Sequence, residues 1–164
     1  MKNDMRVTYP LWQMGSIAIL MVLVFIVGSS ANFEVYDEGG FMLTFSLGFV
    51  KGMTVYVFLM LYLVTLIAFI AKVGKHNKRF PLQKISLLSL KPQEYMDDDE
   101  LYQEVTRRAT QKVYSFFSFA LPVVAVFFIM LPISKVWMII SILLLSLFQY
   151  LIYYTTIRKY VAED

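Results

Sequence analysis

The chain has 164 residues, of which 59% are hydrophobic and 16% charged, with a formal net charge of +3 and no cysteine. Soluble domains carry roughly 45–50% apolar and about 25% charged residues, so one small solvated core cannot hide this much apolar surface, and the excess is expected to face lipid. The lack of cysteine excludes disulfides, thiolate ligands and cysteine nucleophiles, and the single histidine, His76, excludes a zinc site built on several histidines.

The first apolar run, residues 11–30, holds no charged residue. Lys2 and Arg6 precede it, as in a signal peptide, but it outruns the roughly 7–15 residues of a signal core and is read as a retained span. A loop over 31–48 comes next, without Lys or Arg and with Glu34, Asp37 and Glu38. The second run covers 49–71, with Lys51 near its outer end, where its stem can snorkel. Residues 72–112 form the one sizeable polar segment. The third run, 113–131, contains Pro122, expected to kink it, and the fourth covers 136–157. Each run is close to the ~20 residues a helix needs to cross hydrocarbon, and lipid offers no partner to a bare backbone.

Lysine and arginine orient these spans. Lys72, Lys75, Lys78, Arg79, Lys84, Lys91, Arg107, Arg108 and Lys112 fall between the second and third runs, and Arg158 and Lys159 come after the fourth. The first loop has no basic residue and the turn between the last two spans has only Lys135. The positive-inside rule then places both termini and the 72–112 connector in the cytoplasm.

The connector has two parts. Its basic half suits anionic headgroups. The stretch "FPLQKISLLSL" is too short to span; Phe80, Leu82, Ile85, Leu87, Leu88 and Leu90 either lie in the interface or pack on the spans. After Pro92 comes "MDDDELYQEVTRRATQKVYSFF". Acids at Asp97, Asp98, Asp99 and Glu100 suit a helix start, where they accept from free N–H groups and meet the positive end of the dipole. Leu101, Val105 and Ala109 mark one apolar face, and Glu104 is spaced to pair with Arg107 or Arg108. The competing reading, a divalent-cation site on Asp97, Asp98 and Glu104, suits carboxylate oxygens. It lacks the spacing of an EF-hand loop and any second acidic cluster. The segment is therefore read as a capped amphipathic helix leading into the third span, with Asp97, Asp98, Asp99, Glu100, Glu104, Arg107 and Arg108 as a candidate docking surface for a partner.

No Asp, Glu, His or Arg lies within a span, which argues against proton coupling and intramembrane metalloproteolysis. Gly48 and Gly52 form a small-xxx-small pair that admits close helix packing, with Pro122 as a further packing feature. Gln13, Thr54, Thr65, Ser115, Ser118, Ser141, Ser146 and Gln149 are expected to bond between helices. Tyr9, Trp12, Trp137, Tyr150, Tyr153, Tyr154 and Tyr160 look like interfacial aromatic belts, with Tyr56 and Tyr62 deeper and bonded within the bundle. Motifs for nucleotide binding, serine hydrolysis and zinc proteolysis are missing.

The stretch "DDDELYQEVTRRATQKVYSFFSFALP", followed by an apolar hairpin, resembles a group of small uncharacterised bacterial membrane proteins. Asp99, Glu100, Arg107, Ala109 and Ser115 carry the likeness, over residues 92–164 at most. The resemblance implies a small bacterial integral membrane protein and no activity.

The expectation is thus an all-α, integral membrane four-helix bundle of two transmembrane hairpins, with a cytoplasmic amphipathic connector. It is a single membrane domain in a bacterial plasma membrane. No enzymatic activity, cofactor or metal is expected, and the partners are the lipid bilayer and another membrane protein or a second copy, not nucleic acid. The function expected first is an accessory, regulatory or immunity-type subunit; the alternative is a homo-oligomeric channel or small transporter.

Overall fold

A computed structural model of the chain describes residues 5–35, 41–81, 85 and 100–163. It contains four helices, each long and apolar enough to cross a membrane. These are α1 (Met5–Gly28), α2 (Phe49–Arg79), α3 (Glu100–Met130) and α4 (Lys135–Glu163). Their 24, 31, 31 and 29 residues measure about 36–46 Å at ~1.5 Å per residue, more than the ~30 Å of hydrocarbon. The surplus lies at one end, where α1 begins, α2 runs on through its basic turns, α3 starts and α4 finishes. The helical part of the chain therefore takes in residues 72–79, which the sequence reads as basic connector, and 100–112, which it reads as an amphipathic helix leading into the third span.

The chain is all-α apart from one element that was not expected from the sequence. Between α1 and α2 the expected loop is an antiparallel β-hairpin, β1 (Ala31–Val35) and β2 (Phe41–Phe45). Its register pairs Ala31 with Phe45, Phe33 with Leu43 and Val35 with Phe41. The Ser46 N–H donates to the Ser30 carbonyl at 2.9 Å, closing the base of the hairpin. Lys51 is tied here too: its ammonium donates to the Ser30 hydroxyl at 3.4 Å.

α1 packs against both α2 and α4, and α4 against α3. The helices thus stand in contact in the order α2, α1, α4, α3. Among the described residues α2 and α3 share at most a marginal contact. Aromatic rings make several of the joints. Tyr9 and Trp12 of α1 meet Phe69 of α2 with centroids 5.5 and 6.2 Å apart, and the Lys72 ammonium lies 5.1 Å from the Trp12 ring. Phe25 of α1 meets Trp137 of α4, and Phe116 of α3 meets Phe148 of α4. Several belt aromatics therefore also join helices.

Burial concentrates at the end that carries the helix surplus. One cluster gathers Met5, Phe69, Val73 and Ile85; a second gathers Val105, Ala109 and Ile157, with Val7 and Tyr153 against it. Ile85 belongs to the connector. Asn77 holds it there with both ends of its amide: Nδ2 donates to the Ile85 carbonyl at 2.9 Å, and the Ile85 N–H donates to Oδ1 at 2.8 Å. Of the two readings of "FPLQKISLLSL", Ile85 fits the one in which the connector packs on the spans; Leu82, Leu87, Leu88 and Leu90 lie outside the described residues.

The expectation that hydroxyls bond between helices is corrected. Thr54, Thr65, Ser118, Ser141 and Ser146 each donate to the carbonyl four residues earlier in their own helix, at 2.8–3.2 Å. The i−4 carbonyl already accepts a helical N–H, but its second lone pair lies within reach of a short hydroxyl side chain on the same helix. Tyr56, expected deep in a bundle, is 55% exposed; among the described residues α2 packs chiefly on α1, along one face.

Candidate functional site

The docking surface expected from the sequence falls at the head of α3. Asp97, Asp98 and Asp99 lie outside the described residues, and Glu100 is the first residue of α3. The next two turns of α3 divide cleanly into an inner and an outer face. Val105, Thr106 and Ala109 turn inward: Thr106 and Ala109 have no exposed surface, and Ala109 packs with Ile157 of α4. The apolar face read from Val105 and Ala109 is thus the face by which α3 meets α4. Helical spacing then forces Glu104, Arg107 and Arg108 outward.

These three side chains form one ion-paired group. The Glu104 carboxylate accepts from Arg107 at 2.6 Å and from Arg108 at 2.8 Å. The sequence offered either partner; the structure uses both, one per oxygen. The hydrogen bonds from Arg108 and then Arg107 hold the Glu104 carboxyl below its ordinary range. All three side chains remain largely open to solvent, so the group adds little stability and stays accessible.

Beside it runs a groove of about 570 Å³ whose described wall is Arg107, Thr110, Gln111, Tyr114 and Ser115. Spacings of three and four place these on one face of α3. Arg107 and Ser115 stand out in the sequence, but Thr110, Gln111 and Tyr114 were not joined to them there. The signal was present as a polar stripe continuing past the arginines into the third apolar run. One cation, three hydroxyls and an amide are a set of groups for holding a polar partner group. Among the described residues no three of His, Asp and Glu come together as metal ligands would.

Gly48 and Gly52 have open space where a Cβ would stand, and α3 continues unbroken through Pro122. Within the chain the tight helix approach is at Gly28, which faces Val136.

Fold and site define a class: a chain of four candidate membrane-spanning helices with an exposed polar head on the third. No family model, curated protein or solved structure matches it.

Proposed function

We propose that this is a multi-pass plasma-membrane protein of two transmembrane hairpins, α1–α2 and α3–α4, with both termini and the connector in the cytoplasm. It acts as a non-enzymatic accessory, regulatory or immunity-type subunit through another membrane protein. The orientation is supported by the charge distribution: Lys72, Lys75, Lys78, Arg79, Arg107, Arg108, Lys112, Arg158 and Lys159 share one end, against Lys51 and Lys135 at the other.

One observation carries the functional reading. α3 uses a single face for α4 and presents the Glu104–Arg107–Arg108 group and the groove below it outward. A partner's cytoplasmic segment finds there a charged, accessible head on a firmly packed helix. The channel alternative draws less support, because a pore lined by α2 and α3 needs their hydroxyls, and Thr54, Thr65 and Ser118 bond their own backbone.

The test is native mass spectrometry of the tagged protein extracted gently from its host membrane. A second membrane protein in fixed ratio is the expected result, and the pair D98K/E104K is expected to lose it. Copies of the chain alone, in one defined number, favour the channel; capture unchanged by the double charge reversal rejects this docking surface.

A further inference from the structure

The hairpin between α1 and α2 has a sidedness that the sequence conceals in two separate pieces. Cross-strand partners share a face, and successive residues alternate. The register therefore puts positions 31, 33, 35, 41, 43 and 45 on one face: Ala, Phe, Val, Phe, Leu and Phe. The opposite face carries Asn32, Glu34, Met42 and Thr44.

Among the described residues Ala31 is partly covered, and the others of both faces are exposed. Phe45, on the apolar face, is 51% exposed, and Asn32, Met42 and Thr44 are exposed on the other. A lone two-stranded hairpin is marginal in water and needs an apolar surface to lie on. Its position selects that surface. The Ser46–Ser30 and Lys51–Ser30 bonds fix its base at the level where α1 ends and α2 begins. Leu47, Phe49 and Val50, which follow Phe45 at the junction with α2, are exposed as well.

We propose that the hairpin is an interfacial anchor. It lies on the outer leaflet of the bilayer with its Ala-Phe-Val/Phe-Leu-Phe face among the headgroups and upper acyl chains, and its Asn-Glu/Met-Thr face toward water. It is the β counterpart of an amphipathic interfacial helix, and a lipid surface is its partner. The inference rests on the membrane reading under Proposed function.

The chain's lack of cysteine makes the test direct. The single variants M42C, L43C, T44C and F45C each carry one nitroxide and are reconstituted in vesicles of phosphatidylcholine and phosphatidylglycerol. Collisions are measured with oxygen, which concentrates in lipid, and with a nickel chelate, which stays in water. The expected result is an oxygen-to-nickel ratio several-fold higher at 43 and 45 than at 42 and 44. Equal ratios along the strand, with free access for nickel, overturn the proposal because the hairpin then stands in water. Shielding of 43 and 45 from both reagents also overturns it, since protein then covers the face. V57C, at an exposed position about two turns into α2, tells failure of the anchor from failure of the membrane reading. A lipid signature at 57 without alternation in the strand rejects the anchor alone; nickel access at 57 rejects the membrane reading and the anchor with it.

Discussion

Gly28 and Val136 meet where α1 ends and α4 begins. A Cβ built on Gly28 would stand 2.7 Å from Val136 Cγ2 and 3.1 Å from Cγ1. The valine is stiff at χ1, so it cannot swing aside, and the two helix ends approach this closely only because residue 28 has no side chain. G28A is expected to cost about 1–3 kcal/mol, the range for overpacking, read as a lower unfolding temperature in detergent. V136A added to G28A is expected to restore most of the loss. G48A and G52A, whose Cβ atoms would meet nothing in the chain, are expected to leave the unfolding temperature unchanged in the isolated protein.

Ala109 sets a similar test at the opposite end. It is fully buried against Ile157, so A109L has no room and is expected to cost about 1–3 kcal/mol. The same substitution at Ala125, exposed on the same helix, is expected to be silent. Equal unfolding temperatures for A109L and A125L would show that α3 does not seat on α4 as described.

Asn77 offers a local readout. With N77A the Ile85 N–H loses its acceptor and the Ile85 carbonyl its donor. Both bonds are partly buried, and leaving a buried donor or acceptor unsatisfied costs about 1–3 kcal/mol. Hydrogen exchange at the Ile85 amide is expected to accelerate by one to two orders of magnitude, from that same range, while amides in the middle of α1 and α4 keep their rates.

Glu104 gives the pH dependence. Its carboxyl is held below the ordinary range in the folded chain by Arg108 and Arg107. The stabilisation is therefore complete above the unfolded carboxylate range and is lost as pH falls through the lower, folded value. The group lies at the surface, so the effect is small and local. Amide chemical shifts over residues 104–108 are expected to move in that acidic window, and E104Q is expected to abolish the movement.

The four helices were legible because length and hydropathy act on every residue of a span. The early turns of α3 were legible too, as an amphipathic helix leading into the third span; the late turns of α2 were not: "KVGKHNKR" looks like a basic connector, yet it continues α2 because nothing in it breaks a helix before Phe80. The hairpin was missed for a different reason. "ANFEV" alternates with period two, and "FMLTF" does so except at Met42; such alternation is the ordinary mark of a half-covered strand. The acids and glycines between them drew the whole stretch into a loop. The Glu104 ion pair was readable from i, i+3 and i+4 spacing alone. The helix partners were not, since α1 meets α4 through contacts that no local pattern encodes. The hydroxyls misled because their chemistry permits bonds between helices, and only geometry shows that their own carbonyls are nearer.

The place of α1 has a consequence for biosynthesis. It touches α2 on one side and α4 on the other, yet it leaves the ribosome first of the four and α4 last. While α2 and α3 are being made, the groove that receives Val136 and Trp137 stands empty beside Gly28 and Phe25. The seam between α1 and α4 therefore forms only after α2 and α3 have been made. A chain that stops before α4 leaves the same surface of α1 uncovered, the one that otherwise receives Val136 and Trp137, so an unfinished copy differs from a finished one at a defined place.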